Sequence, residues 1–125
     1  MQMESLRMLD AGEAPSLAPE DRPIDLVHLA RTTLGDRSLE REVLQLFDRQ
    51  ATLLIQRMRV AASEGVMPLA HTLKGSARGI GAWRVARAAE AVEVAEGRDL
   101  KGAVDRLAAA AEEARALIAE LLKAN

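Results

Sequence analysis

From Ile24 to Leu121 the apolar side chains recur at intervals of three and four, and nowhere do they alternate as a strand's would. That spacing gathers them on one face of a helix with 3.6 residues per turn, which restricts the chain to helices packed on helices. Composition supports the same restriction. Hydrophobic residues make up 49% of the 125, yet aromatics are only 2%, with Phe47, Trp83 and no tyrosine. A core of alanine and branched aliphatics suits close-packed helices better than a β-sandwich.

Turn and cap residues divide the pattern. Asp25 is a good N-cap for a segment in which Leu26, Leu29, Ala30 and Thr33 or Leu34 keep helical spacing until Gly35. Asp36 or Ser38 caps a long helix with Leu39, Val43, Leu46, Phe47, Leu54, Met58 and Ala61 facing inward, ending at Ser63-Glu64-Gly65. Pro68 suits a first-turn position, which sets His71 within about one turn of its helix start, where the dipole favours an anion nearby. Leu69, Ala70, Leu73, Ala77 and Ile80 mark the buried stripe of that third helix, closed by Gly79 and Gly81. Ala82, Val85, Ala86, Ala89 and Val92 carry a fourth helix to about Glu96, and Gly97 breaks it. Asp99 caps the last, with Leu100, Val104, Leu107, Ala111, Ala114, Leu117 or Ile118, and Leu121 inward.

Short connections between long amphipathic helices force antiparallel neighbours. The expected fold is therefore all-α: an up-and-down antiparallel bundle over residues 23–125, with a four-helix core and a short N-terminal helix. Residues 1–22 read differently. Gly12, Pro15, Pro19 and several acidic residues leave little apolar surface to offset ordering entropy, so a flexible tail is expected. Leu6, Met8 and Leu9 have the spacing of one helical turn that docks on the body.

Several function classes drop out. The chain has no cysteine, which removes thiol, disulfide and Cys-ligated metal chemistry. Seventeen basic and 19 acidic residues give a net charge of −2, without the basic footprint that nucleic acid or an anionic membrane requires. No run approaches the ~18 apolar residues of a membrane helix, and Met-Gln-Met-Glu does not open like a signal peptide. A cytoplasmic protein is expected. The sequence lacks GxxxxGK[ST], GxGxxG, HExxH and GxSxG, so no nucleotide site, metal or cofactor is expected of the chain itself.

One helical face stands out. His71, Lys74, Gly75 and Arg78 are spaced i, i+3, i+4 and i+7 and share a side, offset from the core stripe. An interior helical glycine costs about 1 kcal/mol relative to alanine, and Gly75 sits where no bundle packing calls for one. Close approach by something from outside would explain it. From His71 to Ala89 the chain carries Lys74, Arg78, Arg84 and Arg87 and no acid, a local charge of +4 against −6 elsewhere. Such a patch suits a phosphoryl group or an acidic partner surface. Each feature alone has a plainer reading: a solvated histidine, an early helix end, a solvated charged face. Their coincidence makes His71 the candidate.

The run Ala70-His71-Thr72-Leu73-Lys74-Gly75-Ser76-Ala77, followed by Gly81-Ala82 and Val92-Glu93, resembles the signature of histidine-containing phosphotransfer (HPt) domains. Ile24-Asp25-Leu26, Gly35-Asp36, Leu39 and Leu46-Phe47 are similar to that family's first two helices, so the resemblance spans about residues 24–122. It implies a helical bundle that takes a phosphoryl group from a receiver-domain aspartate and passes it to another receiver. The chain would then be a phosphocarrier and not an enzyme with its own nucleotide site. Implied partners are response-regulator receiver domains and a hybrid sensor histidine kinase, with Mg²⁺ bound by the receiver.

By the same resemblance His71 is the phosphoacceptor, Lys74 neutralises phosphoryl oxygens, and Gly75 gives access. Glu93 holds Nδ1–H so that Nε2 is the nucleophile. Arg78 and Arg84 extend the cationic rim. Trp83 lies off the core stripe, as a half-buried packing residue or a hydrophobic anchor for the partner. His28 shares an outward face with Arg31 and Thr32 and is expected to be solvated. A monomer is expected, although Ile118 or Leu122, if exposed, leaves a dimer open. The alternative function is a non-transferring adaptor or inhibitor that keeps the receiver-docking surface.

Overall fold

The computed structural model describes residues 22–124. The expected tail therefore lies, except for Arg22, outside the described residues, as does the turn at Leu6, Met8 and Leu9. Five helices follow: α1 (Leu26–Thr32), α2 (Arg37–Val60), α3 (Ser63–Ile80), α4 (Trp83–Val94) and α5 (Asp99–Lys123). No strand occurs among the described residues. α2 packs on α3, α3 on α4 and α4 on α5, while α5 returns to α2 and closes a four-helix bundle; α1 lies against α3. None of these helices is long and apolar enough to cross a membrane.

The caps follow the sequence at two starts. Asp25 accepts from the His28 amide at 3.1 Å and Asp36 from the Leu39 amide at 3.0 Å, each satisfying a donor left over at a helix N-terminus. At the last helix the expectation fails. Asp99 is the first residue of α5, and its N-cap, Arg98, makes no side-chain capping bond. Asp99 instead places its charge in the first turn, where the dipole favours it.

The core is aliphatic and alanine-rich. Leu29, Phe47, Ala51, Leu73, Ala77, Val85, Ala89, Leu107 and Ile118 are among its buried members. On α2 the inward series is Leu44, Phe47, Ala51, Leu54 and Met58, so Leu39 and Leu46 point outward instead of into the core. Those five residues keep the three–four spacing equally well, and the sequence carries both registers. On α1, Thr33 is buried with its hydroxyl donating to the Leu29 carbonyl, whereas Leu34 is exposed in a left-handed conformation (φ 56°). Ile118 is buried, which withdraws it as a surface for dimerisation.

The link between α2 and α3 is shorter than the sequence suggests. α2 stops at Val60, and Ser63, Glu64 and Gly65 already belong to α3. Pro68 is thus inside α3, not in its first turn. Its cost to the helix is met by the burial of Val66, which draws the preceding turn onto the core. His71 is the ninth residue of α3, two turns beyond its start, and the N-terminal dipole does not reach it.

Candidate functional site

The third helix carries His71 on its outer side, and the fourth brings Glu93 beside it. Burial of Ala70, Leu73 and Ala77 turns His71 and Gly75 away from the core, while burial of Ala89 and Val92 turns Glu93 toward α3. The His71 side chain is 69% exposed and Glu93 only 14%. The His71 Nδ1–H donates to Glu93 Oε2 at 2.7 Å. A carboxylate can only accept, so the proton of this bond belongs to Nδ1 and a neutral ring leaves Nε2 bare.

Lys74 completes the cluster from a direction the sequence did not indicate. Its side chain is as covered as that of Glu93, and its Nζ lies 2.6 Å from Glu93 Oε1. The contact is an ion pair whose angles are off-line for a hydrogen bond. This ammonium, first, and then the His71 ring hold the Glu93 carboxyl below its ordinary value, against the opposing effect of burial.

Gly75 lies one turn after His71, and an added Cβ would meet nothing within 4 Å; the same holds at Gly79, one turn further. Neither glycine is required by packing. They leave the α3 backbone bare along the side that presents the imidazole. Met67, one turn before His71, and Val94, next to Glu93, are large exposed apolar residues on the two helices that form the site. Neither belongs to the His71–Arg78 motif in the sequence. Met67 sits at i−4 from His71, a spacing that would have found it.

The cationic rim does not form as expected. Arg84 pairs with Glu113 of α5 at 2.7 Å. Lys74 is paired with Glu93. Of the two cations on the His71 stripe, Arg78 is the exposed one. The counter-charges come from helices distant in sequence, which a count over residues 71–89 could not register.

Trp83 and His28 belong to a separate cluster where α1 meets the α3–α4 turn. Trp83 is half-buried; its Nε1–H donates to Asp25 Oδ2 at 3.0 Å, and its ring stands edge-on to His28 at 4.9 Å. His28 is not a solvated side chain, since its Nε2–H donates to the Arg78 carbonyl at 3.0 Å. The Trp83 contact, ahead of the backbone amide of His28, holds the Asp25 carboxyl below its usual value. Gly81 ends α3 with φ 81°, and a Cβ there would fall 2.9 Å from the Asp25 carbonyl. This latch sits about 14 Å along α3 from His71. The structure therefore does not bring Trp83 to the imidazole.

An exposed imidazole, a carboxylate behind its inner nitrogen and a bare backbone beside it make a site for nucleophilic attack by Nε2 on a group delivered from outside. A family model described as the Hpt domain matches residues 38–124, spanning α2 to α5. The chain belongs to the Hpt-domain family. Comparison with curated proteins and with solved structures yields no match. Hpt domains act in histidine phosphotransfer within phosphorelays, as phosphocarriers that meet receiver domains and kinases.

Proposed function

We propose that this Hpt domain is a phosphorelay intermediate that accepts a phosphoryl group on His71 from a receiver-domain aspartate and delivers it to another receiver. The 2.7 Å bond from His71 Nδ1–H to Glu93 carries the reading. It leaves Nε2 bare on a ring whose side chain is 69% exposed, where an aspartyl phosphate can reach it.

The step balances without an external base. The Nε2 lone pair attacks phosphorus, the bond from phosphorus to the aspartate oxygen breaks, and the carboxylate leaves with its electron pair. The proton on Nδ1 stays there, so the phosphorylated ring carries a positive charge that faces Glu93. This carboxylate is already ionised in the resting domain and is acceptor-only, so it needs no change of state to stabilise the product. Return of the group to a second receiver runs the same step backward.

Lys74 has two stations in this scheme. At rest it offsets the Glu93 charge; with the phosphoryl group on Nε2, its flexible stem turns the ammonium toward the new oxygens. Gly75 and Gly79 let the receiver's active-site loops close on the ring. Arg78, on the same side of α3 and between them in the chain, also meets the receiver. Mg²⁺ belongs to the receiver's acidic cluster, and the chain supplies no nucleotide.

The test is phosphotransfer from labelled receiver domains to the wild type and to His71→Gln. Acid-labile, alkali-stable label on the wild type alone supports the proposal. Receiver binding that persists in His71→Gln, with no label trapped on either protein, would move the chain to a non-transferring adaptor or inhibitor.

A further inference from the structure

α2 exposes an aliphatic side chain at every seventh position over most of its length. Leu39, Leu46 and Leu53 are 38%, 57% and 46% exposed, and Val60 continues the period. A seven-residue repeat on an α-helix keeps nearly one direction, drifting by about 20° per repeat. The three leucines therefore form a single seam about 21 Å long. Such a seam matches a second helix lying alongside, because each aliphatic knob meets the partner once every two turns.

Charge along the seam identifies the partner. Glu42 and Arg49 follow Leu39 and Leu46 by three residues each, so they lie on the same flank. Both are exposed, and neither pairs with another described residue. They are too far apart on α2, seven residues or about 10 Å, to neutralise each other.

We propose that this seam binds the same seam of a second copy of the chain, the two α2 helices running antiparallel about a two-fold axis at Leu46. In that arrangement Leu46 meets the partner's Leu46, and Leu39 meets the partner's Leu53. Glu42 meets the partner's Arg49, and the symmetry repeats the last two contacts. An antiparallel two-fold brings identical flanks together, which this pairing requires. A parallel pair would put the two copies of this flank on opposite sides of the seam and leave Glu42 and Arg49 without each other, so charge favours the antiparallel direction. One helix against one helix is a small interface, and the dimer is accordingly weak and concentration-dependent.

Sedimentation equilibrium of the full chain, from micromolar to millimolar concentration, tests this directly. The wild type is expected to show reversible dimerisation, and Leu46→Glu to raise its dissociation constant by about tenfold or more. Glu42→Arg alone should also weaken the dimer, and Glu42→Arg combined with Arg49→Glu should restore it. All three substituted positions are exposed, so helicity by circular dichroism should be unchanged. A wild type monomeric throughout, or a dimer indifferent to these substitutions, overturns the proposal. So does a monomeric wild type whose phosphotransfer is abolished by Leu46→Glu, which would give the seam to a receiver.

Discussion

The Lys74 ammonium rests on Glu93 and not on His71, although it stands one turn from the imidazole on the same helix. Glu93 thus faces a cation through one oxygen and a ring N–H through the other, and the three side chains form one electrostatic unit. Glu93→Gln keeps an acceptor for Nδ1–H but removes the charge that balances both neighbours. Phosphotransfer from a receiver is expected to slow by about tenfold to a hundredfold, the range for loss of an orienting partner. Stopped-flow or quenched-flow transfer kinetics, with melting curves as control, measure it. A rate equal to wild type would remove Glu93 from the mechanism.

Gly75 separates access from stability. Because a Cβ there meets open space, Gly75→Gln should fold normally and gain up to about 1 kcal/mol of helix stability. The same side chain stands where a receiver must approach His71, so transfer should fall steeply. A more stable protein with unchanged transfer would refute the access role.

Trp83→Phe probes the latch. Losing the N–H donor to Asp25 is expected to cost about 1 kcal/mol, read as a lower melting temperature, with transfer to His71 unaffected. Gly81→Ala should destabilise more, by about 2 kcal/mol, since alanine at φ 81° is strained and its Cβ would press on the Asp25 carbonyl.

Acid should unfold the domain through its paired carboxylates. Asp25 and Glu93 sit below their ordinary values when folded, the first chiefly through Trp83 and the second chiefly through Lys74. Asp105 is lowered as well, first by Arg59 and then by Lys101. The unfolded chain takes up these protons first, near the ordinary values of 3.8 and 4.5. The stabilisation is therefore complete above that range and is lost as pH falls through the folded-state values. Denaturant titrations at a series of pH values should show a plateau near neutrality and a decline below pH about 4.5 that is shallower in Glu93→Gln.

The helices and the candidate histidine were legible because both are written locally. Asp25 and Asp36 cap from within one turn, and His71, Gly75 and Arg78 share a face by spacing alone. What stayed hidden depends on contacts between helices. The three–four pattern of α2 admits two registers, and only packing decides that Leu44 and Ala51 go inside while Leu39 and Leu46 stay out. The partners of Lys74 and Arg84 come from α4 and α5, so two of the four cations along α3 and its neighbour are neutralised by residues outside that stretch. Pro68 has the local mark of a helix start, whereas the burial of Val66 on the turn ahead of it is a tertiary effect.

The bond between His71 and Glu93 also determines regiochemistry. With its inner nitrogen occupied, the ring is monofunctional toward any electrophile in solution, including small phosphorylating reagents that have no docking surface. A histidine ring with both nitrogens free can be phosphorylated at either one; this one should give a single 3-phosphohistidine, distinguishable by its phosphorus resonance even in the absence of every protein partner.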